Sequence, residues 1–248
     1  MWKFISMLPL IIIQARLSSS RLPKKVLKPM LGKPLISYTL SRLKTLQCKA
    51  KVVLATTNLP ADDEVELYCR KNKVDVFRGS EANVLKRYYH CAQKYSAKTI
   101  IRITGDCPLV DPNLLEKMLN FYLKNQSAYD YVSNVLDRSY PKGLDIEIFN
   151  AKALEKSYFE AQSNYQQEHV TPYIYQNPKL FRLYNFKDQD NYSHFNVSVD
   201  TQKDFDFVEK LIKKYYPTNP LFGLEEIKEY CRSNNEVKSD APHLSQNA

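Results

Sequence analysis

The sequence predicts an α/β fold in which a parallel sheet is covered by helices on both faces, and two observations carry that prediction. Short β-branched apolar runs alternate through the first half of the chain with stretches whose apolar residues repeat at helical spacing. The chain has 248 residues, 44% of them hydrophobic and 25% charged, which is enough to bury one large core. A single domain over residues 1–232 is expected, followed by a polar, aperiodic and frayed tail over 233–248.

The expected strands of the first half are Leu10–Gln14, Lys51–Thr56, Val74–Phe77 and Thr99–Thr104. Each is a short apolar run rich in Ile, Val or Thr. Between them, Leu35–Leu46 reads as a helix that turns Leu35, Ile36, Tyr38, Leu40 and Leu43 to the core. Asp62–Lys71 and Glu81–Tyr95 also read as helices, the second with Val84, Leu85, Tyr88 and Ala92 on one stripe. Pro112 suits the first turn of a helix reaching Lys124, with Asp111 as its N-cap. The middle is less regular, with strands expected at Tyr129–Asn134, Asp145–Phe149 and Phe181–Phe186. Helices are expected at Ala151–Gln162 and at Glu168–Tyr175, the latter running up to the Asn177-Pro178 stop. A short apolar run at Val197–Val199 precedes Asp200, and helices at Lys203–Tyr215 and Leu224–Arg232 complete the fold.

Composition narrows the function. The formal charge of +9 would suit nucleic acid, an anionic surface or a small polyanion, but Lys and Arg are spread along the chain without a run of five. A small anionic ligand is expected, and no nucleic acid. The stretch from Met1 to Ile13 carries Lys3 and Pro9, lacks a small-residue cleavage site and is too short to span a bilayer, so no membrane insertion is expected. Five glycines permit neither G-x-G-x-x-G nor a Walker A loop, which disfavours nicotinamide dehydrogenases and P-loop kinases. Five scattered cysteines without C-x-x-C spacing point to a reduced, cytoplasmic protein lacking structural zinc.

Chemistry concentrates where strands end. The strand Leu10–Gln14 empties into Ala15-Arg16-Leu17-Ser18-Ser19-Ser20-Arg21-Leu22-Pro23-Lys24-Lys25, a loop of three hydroxyls, two arginines and two lysines. At the carboxyl end of a buried strand such a loop can offer backbone N–H groups and cations to a polyphosphate; the alternative is a solvated basic connector. Asp106, after Thr99–Thr104, stands at the same sheet edge, and Asp200 follows another short apolar run. Taken singly, each acid also reads as a local turn or helix cap. Together they suit Mg²⁺, which takes one or two carboxylates plus phosphate oxygens and water. That combination fits nucleotidyl transfer, where positioning and charge stabilisation carry the rate.

These segments carry a resemblance. Leu22-Pro23-Lys24-Lys25-Val26-Leu27-Lys28-Pro29 with Gly32-Lys33-Pro34-Leu35, then Phe77-Arg78-Gly79-Ser80-Glu81, Thr104-Gly105-Asp106-Cys107-Pro108-Leu109, Tyr140-Pro141-Lys142-Gly143-Leu144-Asp145, Glu168-His169-Val170-Thr171-Pro172-Tyr173 and Val199-Asp200-Thr201 occur in one order from about Ile11 to about Leu211. The order resembles the cytidylyltransferases of the spore-coat polysaccharide type, related to CMP-acylneuraminate and CMP-ketodeoxyoctulosonate synthetases. The resemblance implies a Rossmann-like nucleotide-diphospho-sugar transferase fold with a mixed, mostly parallel sheet. It also implies transfer of CMP from CTP to an acidic sugar or similar acceptor, with pyrophosphate released, in surface-glycan synthesis by a homodimer.

By position, the resemblance makes Arg16, Arg21, Lys25 and Asp106 the catalytic residues. It makes Asp106 and Asp200 the Mg²⁺ ligands, and Ala15, Ser19, Ser20, Arg78 and Ser80 the nucleotide contacts. Ser18 and Lys24 stand where the family usually has glycine. For the acceptor, Tyr140, Lys142, Glu147 and His169 are the candidates, with Arg182 and His194 beside them, because a sugar carboxylate wants cationic donors. Three rival readings remain at this point: a glycosyltransferase of similar fold, a nucleotidyltransferase that uses UTP, and a catalytically silent nucleotide-binding protein.

Overall fold

A computed structural model describes residues 8–233, so the first seven residues and all of the expected tail over 233–248 except Ser233, which ends the last helix, lie outside the described residues. The main sheet has seven strands in the order β5-β4-β1-β6-β8-β7-β9. Its parallel half comprises β1 (Leu10–Gln14), β4 (Lys51–Thr57), β5 (Asp75–Gly79) and β6 (Thr99–Thr104). Next, β8 (Glu147–Asn150) pairs antiparallel with both β6 and β7 (Tyr131–Ser133), and β9 (Leu183–Asn185) runs parallel to β7. The sheet is therefore mixed and mostly parallel. A separate small hairpin joins β2 (Pro29–Met30) to β3 (Lys33–Pro34).

The helices are α1 (Leu35–Leu43), α2 (Asp63–Lys71), α3 (Val84–Lys94), α4 (Pro112–Lys124), α5 (Ala151–Glu160), α6 (Asn164–His169), α7 (Pro172–Tyr175), α8 (Gln202–Tyr215) and α9 (Leu224–Ser233). Alternation along β1 divides the core between the two faces. Ile11 and Ile13 pack with residues of α1, α4 and α8, while Leu10 and Ile12 pack with residues of α3 and α5. All four are essentially inaccessible, and each contributes roughly 1.5–3 kcal/mol by leaving water. Because helices cover both faces, β1 reads as a continuous apolar run.

Element ends follow local chemistry. In α4, Asp111 accepts from Asn113 N (2.8 Å) and Leu114 N (3.2 Å), and Pro112 fills the first turn. In α3, Asn83 is the cap, accepting from Lys86 N at 2.7 Å, so the helix starts three residues later than its polar lead-in suggests. The expected helix Glu168–Tyr175 is broken at Val170, which sits at φ 75, a conformation a β-branched residue rarely adopts. The run Val197–Val199 is no strand of the sheet; a single bridge pairs Lys142 with Asn196 beside it.

Candidate active site

The parallel strands deliver their carboxyl ends to one edge, where a cleft of about 310 Å³ opens between the loop after β1, the loop after β6 and Asp200. The loop after β1 is anchored at its start. Asp62, 2% exposed, accepts from Leu17 N at 2.7 Å and Thr57 N at 3.2 Å, and also from the Thr57 hydroxyl. A buried carboxylate is thereby satisfied, and the loop is tied to the end of β4. Ser18 Oγ donates to Glu81 Oε1 (2.9 Å) and ties the loop to the segment before α3.

Gly105 lets the second loop approach the first. Its N–H donates to Gln14 O at 2.8 Å, and a Cβ there would lie 2.9 Å from both Gln14 O and Ala15 Cβ. Gly143, at φ 103, does the same for the third segment, since a Cβ would stand 2.5 Å from Ser198 N. The freed space admits the chain around Val197: its N–H donates to Lys142 O (2.7 Å), and Val199 N donates to Asp106 O (2.8 Å). Asp200 is thus laid beside Asp106. Thr201, not Asp200, caps α8 through a capping box with Asp204, which leaves the Asp200 carboxylate free for the cleft.

Lys25 ties the acids together. Its Nζ lies 3.1 Å from Asp106 Oδ2, 2.9 Å from Asp200 Oδ1 and 2.9 Å from Val199 O. Burial opposes the ammonium, yet Asp106 and Asp200 outweigh it and hold the Lys25 pKa above the ordinary lysine value. Burial likewise opposes the Asp200 carboxylate, and Lys25, Lys142 and Arg21 override it and hold its pKa low. Arg21 Nη2 stands 3.0 Å and Lys142 Nζ 3.4 Å from Asp200. Three cations therefore converge on Asp200, and one of them, Lys25, holds Asp106 as well.

Of the residues singled out from sequence, Ala15, Arg16, Ser19, Ser20, Arg21, Lys25, Asp106, His169 and Asp200 all border this cleft, and Lys142 reaches it through Asp200. Burial keeps the His169 imidazole below its ordinary pKa, hence neutral at neutral pH.

Others stand elsewhere. Arg78 turns its guanidinium away to Thr57 O (2.8 Å), Leu59 O (2.7 Å), Asp63 (2.6 Å) and Glu66 (2.8 Å), bracing α2. Ser80 Oγ accepts from Asn83 N at 3.1 Å, closing the turn before α3. Glu147, 3% exposed, is consumed within the sheet by the Arg102 guanidinium and by the Tyr131 hydroxyl (2.6 Å), so no carboxylate remains to meet an acceptor. Tyr140 lines a separate hollow with Asp188 and Lys228. Arg182 is bound to Asp130 (2.8 Å) on an outer strand connection, and His194 packs on Phe195. Lys24, at φ 55, pairs with Glu64 on α2 at 2.6 Å instead of facing the cleft.

Cations on a loop after the first strand, facing paired acids across a cleft at the sheet edge, form the arrangement that nucleotidyl transfer requires. The comparisons with known proteins agree. A family model described as Cytidylyltransferase matches residues 10–240. The spore coat polysaccharide biosynthesis protein SpsF of Bacillus subtilis is 35% identical over 212 residues, which is 83% of this chain and 86% of that protein. A 3-deoxy-manno-octulosonate cytidylyltransferase of Syntrophotalea carbinolica is 31% identical over 105 residues, 42% of this chain and 41% of its own. Among solved structures, a cytidylyltransferase from Leptospira borgpetersenii superposes with a TM-score of 0.88 at 32% identity, covering 95% of this chain and 98% of that one. The chain belongs to the cytidylyltransferase family and is a CTP-dependent nucleotidyltransferase.

Proposed function

We propose that this enzyme transfers CMP from CTP to a hydroxyl of an acidic sugar, releasing pyrophosphate, in the synthesis of a polysaccharide or surface glycan. The observation that carries the reading is the convergence of Lys25, Arg21 and Lys142 on Asp200, with Lys25 also holding Asp106, at the cleft. The spore-coat and octulosonate relatives supply the substrate class.

In this reading the loop from Arg16 to Lys25 binds the triphosphate, with Arg16 and Arg21 meeting the β- and γ-phosphates. Lys25, already held by two carboxylates, keeps its charge and stabilises the departing pyrophosphate. Lys142 and His169 face the acceptor side, where Lys142 offers a donor to a sugar carboxylate. The donor set fits a divalent metal, Mg²⁺ in our reading. Asp106 and Asp200 are hard oxygen ligands that turn toward one position of positive charge, now taken by the Lys25 ammonium. With Lys25 turned from them to the pyrophosphate, the two carboxylates would hold the ion, which would supply positive charge to the phosphate oxygens. Among the described residues no helix is long and apolar enough to cross a membrane. A cytoplasmic homodimer is the state we expect to act.

The test is pyrophosphate release by the purified protein with Mg²⁺, each of four nucleoside triphosphates and a panel of acidic sugars, with Asp106→Ala as control. Acceptor-dependent release with CTP alone, lost in the variant, is the expected result. Turnover of UTP instead, or CTP binding without release under any acceptor, would overturn the proposal.

A further inference from the structure

One cation at the cleft plays no part in the chemistry above. Arg87, on α3, is 2% exposed, and it borders both the main cleft and a second hollow of about 580 Å³ that also includes Asn58, Lys86 and His90. Its Nη1 donates to Ser80 O at 2.6 Å, while its Nε is buried with no partner. The acids in its field are Asp62 and Glu81, and each is bonded elsewhere: Asp62 to Leu17 and Thr57, Glu81 to Ser18. Burying a guanidinium with an unmet donor is costly, and at the wall of a cleft a bound ligand can offset that cost.

Its place in the fold says which part of the ligand that is. Lys25, Asp106 and Asp200 gather where β6 ends, on one side of β1. Arg87 lies on the other side, on the helix that follows β5 and packs on β5, β4 and β1. Because Lys25 and the two acids take the β6 side of the Ser-rich loop, the side toward α3 is the one left for the base of a nucleotide whose triphosphate lies on that loop. There Val84, apolar and nearly buried, and Ala15 border the same cleft. A base calls for an apolar wall and in-plane donors, whereas phosphate calls for open cations such as Arg16 and Arg21.

We infer that Arg87 reads the base, its guanidinium donating to the O2 and N3 acceptor edge of the cytosine of CTP. Uracil carries an N–H at N3 where cytosine has a lone pair, so a donor aimed at N3 favours CTP over UTP. The inference rests on the cytidylyltransferase reading and extends it to the source of base choice.

The experiment is equilibrium binding of CTP, UTP and inorganic tripolyphosphate, with Mg²⁺, to the wild type, Arg87→Lys and Arg87→Met, with thermal unfolding of each. Arg87→Met is expected to lose about tenfold or more in CTP affinity and most of the CTP-over-UTP ratio, with tripolyphosphate binding unchanged. Arg87→Lys keeps the charge without the fork and is expected to narrow the ratio too. A parallel loss of CTP and tripolyphosphate would assign Arg87 to the phosphates and overturn the inference, as would an unchanged ratio. If Arg87→Met does not fold, the ratio in Arg87→Lys decides alone. A wild type that binds UTP as tightly as CTP would instead refute the parent reading, before any variant is made.

Discussion

At the scale of single residues, the cleft depends on groups whose alternatives are costly. Lys25 compensates two acids, so Lys25→Met would leave Asp106 and Asp200 facing each other with only Arg21 and Lys142 nearby. We expect kcat to fall by about 10²–10³-fold, the range for losing one preorganised charge donor, measured as pyrophosphate release. Asp62 is a positioning residue of a different kind. Asp62→Ala strips partners from Leu17 N and Thr57 N, costing about 2–4 kcal/mol of stability by denaturant unfolding and raising KM for CTP as the loop loses its anchor. Lys24 runs the other way. At φ 55 it pays roughly 1–2 kcal/mol for a left-handed backbone, and its exposed pair with Glu64 returns little. Lys24→Gly is therefore expected to raise the melting temperature slightly and to leave turnover intact; a lost turnover would show that the side chain serves the phosphates after all.

At the scale of elements, what could be read from sequence tracks how local the cause is. The strands β1, β4 and β6 were legible because buried parallel strands are plain apolar runs, and α4 because Asp111 and Pro112 announce its start. Val170 was not legible, since no neighbouring residue type signals φ 75, and neither was the β2–β3 hairpin with Leu31 at φ 46. Glu147 looked like a free acid because its partners, Arg102 on β6 and Tyr131 on β7, come only with strand pairing. Arg87 escaped attention because α3 shows its apolar stripe and not what covers its other residues. The cleft itself was legible where loops follow strands, though the contact between Lys25 and Val199 spans 174 positions.

One element carries a pH signature. Arg182, just before β9, bonds Asp130, just before β7, and these hydrogen bonds pull the Asp130 carboxyl down to about 2. An unfolded aspartate titrates at about 3.9. Because the folded value is the lower one, the contact contributes fully above about pH 4 and fades as the pH falls toward about 2. The stability difference between wild type and Arg182→Gln should be full at about pH 6 and largely lost by about pH 2. A difference that persists at the acid end would mean that packing, not charge, holds β9.

At the scale of the whole molecule, a sheet whose carboxyl edge carries the chemistry and whose helices bury both faces opens a cleft at that edge that suits a polyanion. The positive charge of the chain suits that ligand. The central claim is that the cleft joins the α-phosphorus of CTP to an acceptor oxygen, and product identity tests it most directly. Phosphorus NMR of the reaction with CTP, Mg²⁺ and an acidic sugar should show a CMP phosphodiester of the sugar and inorganic pyrophosphate appearing in equal amounts. Formation of CDP with phosphate, or of free CMP with no sugar adduct, would contradict it.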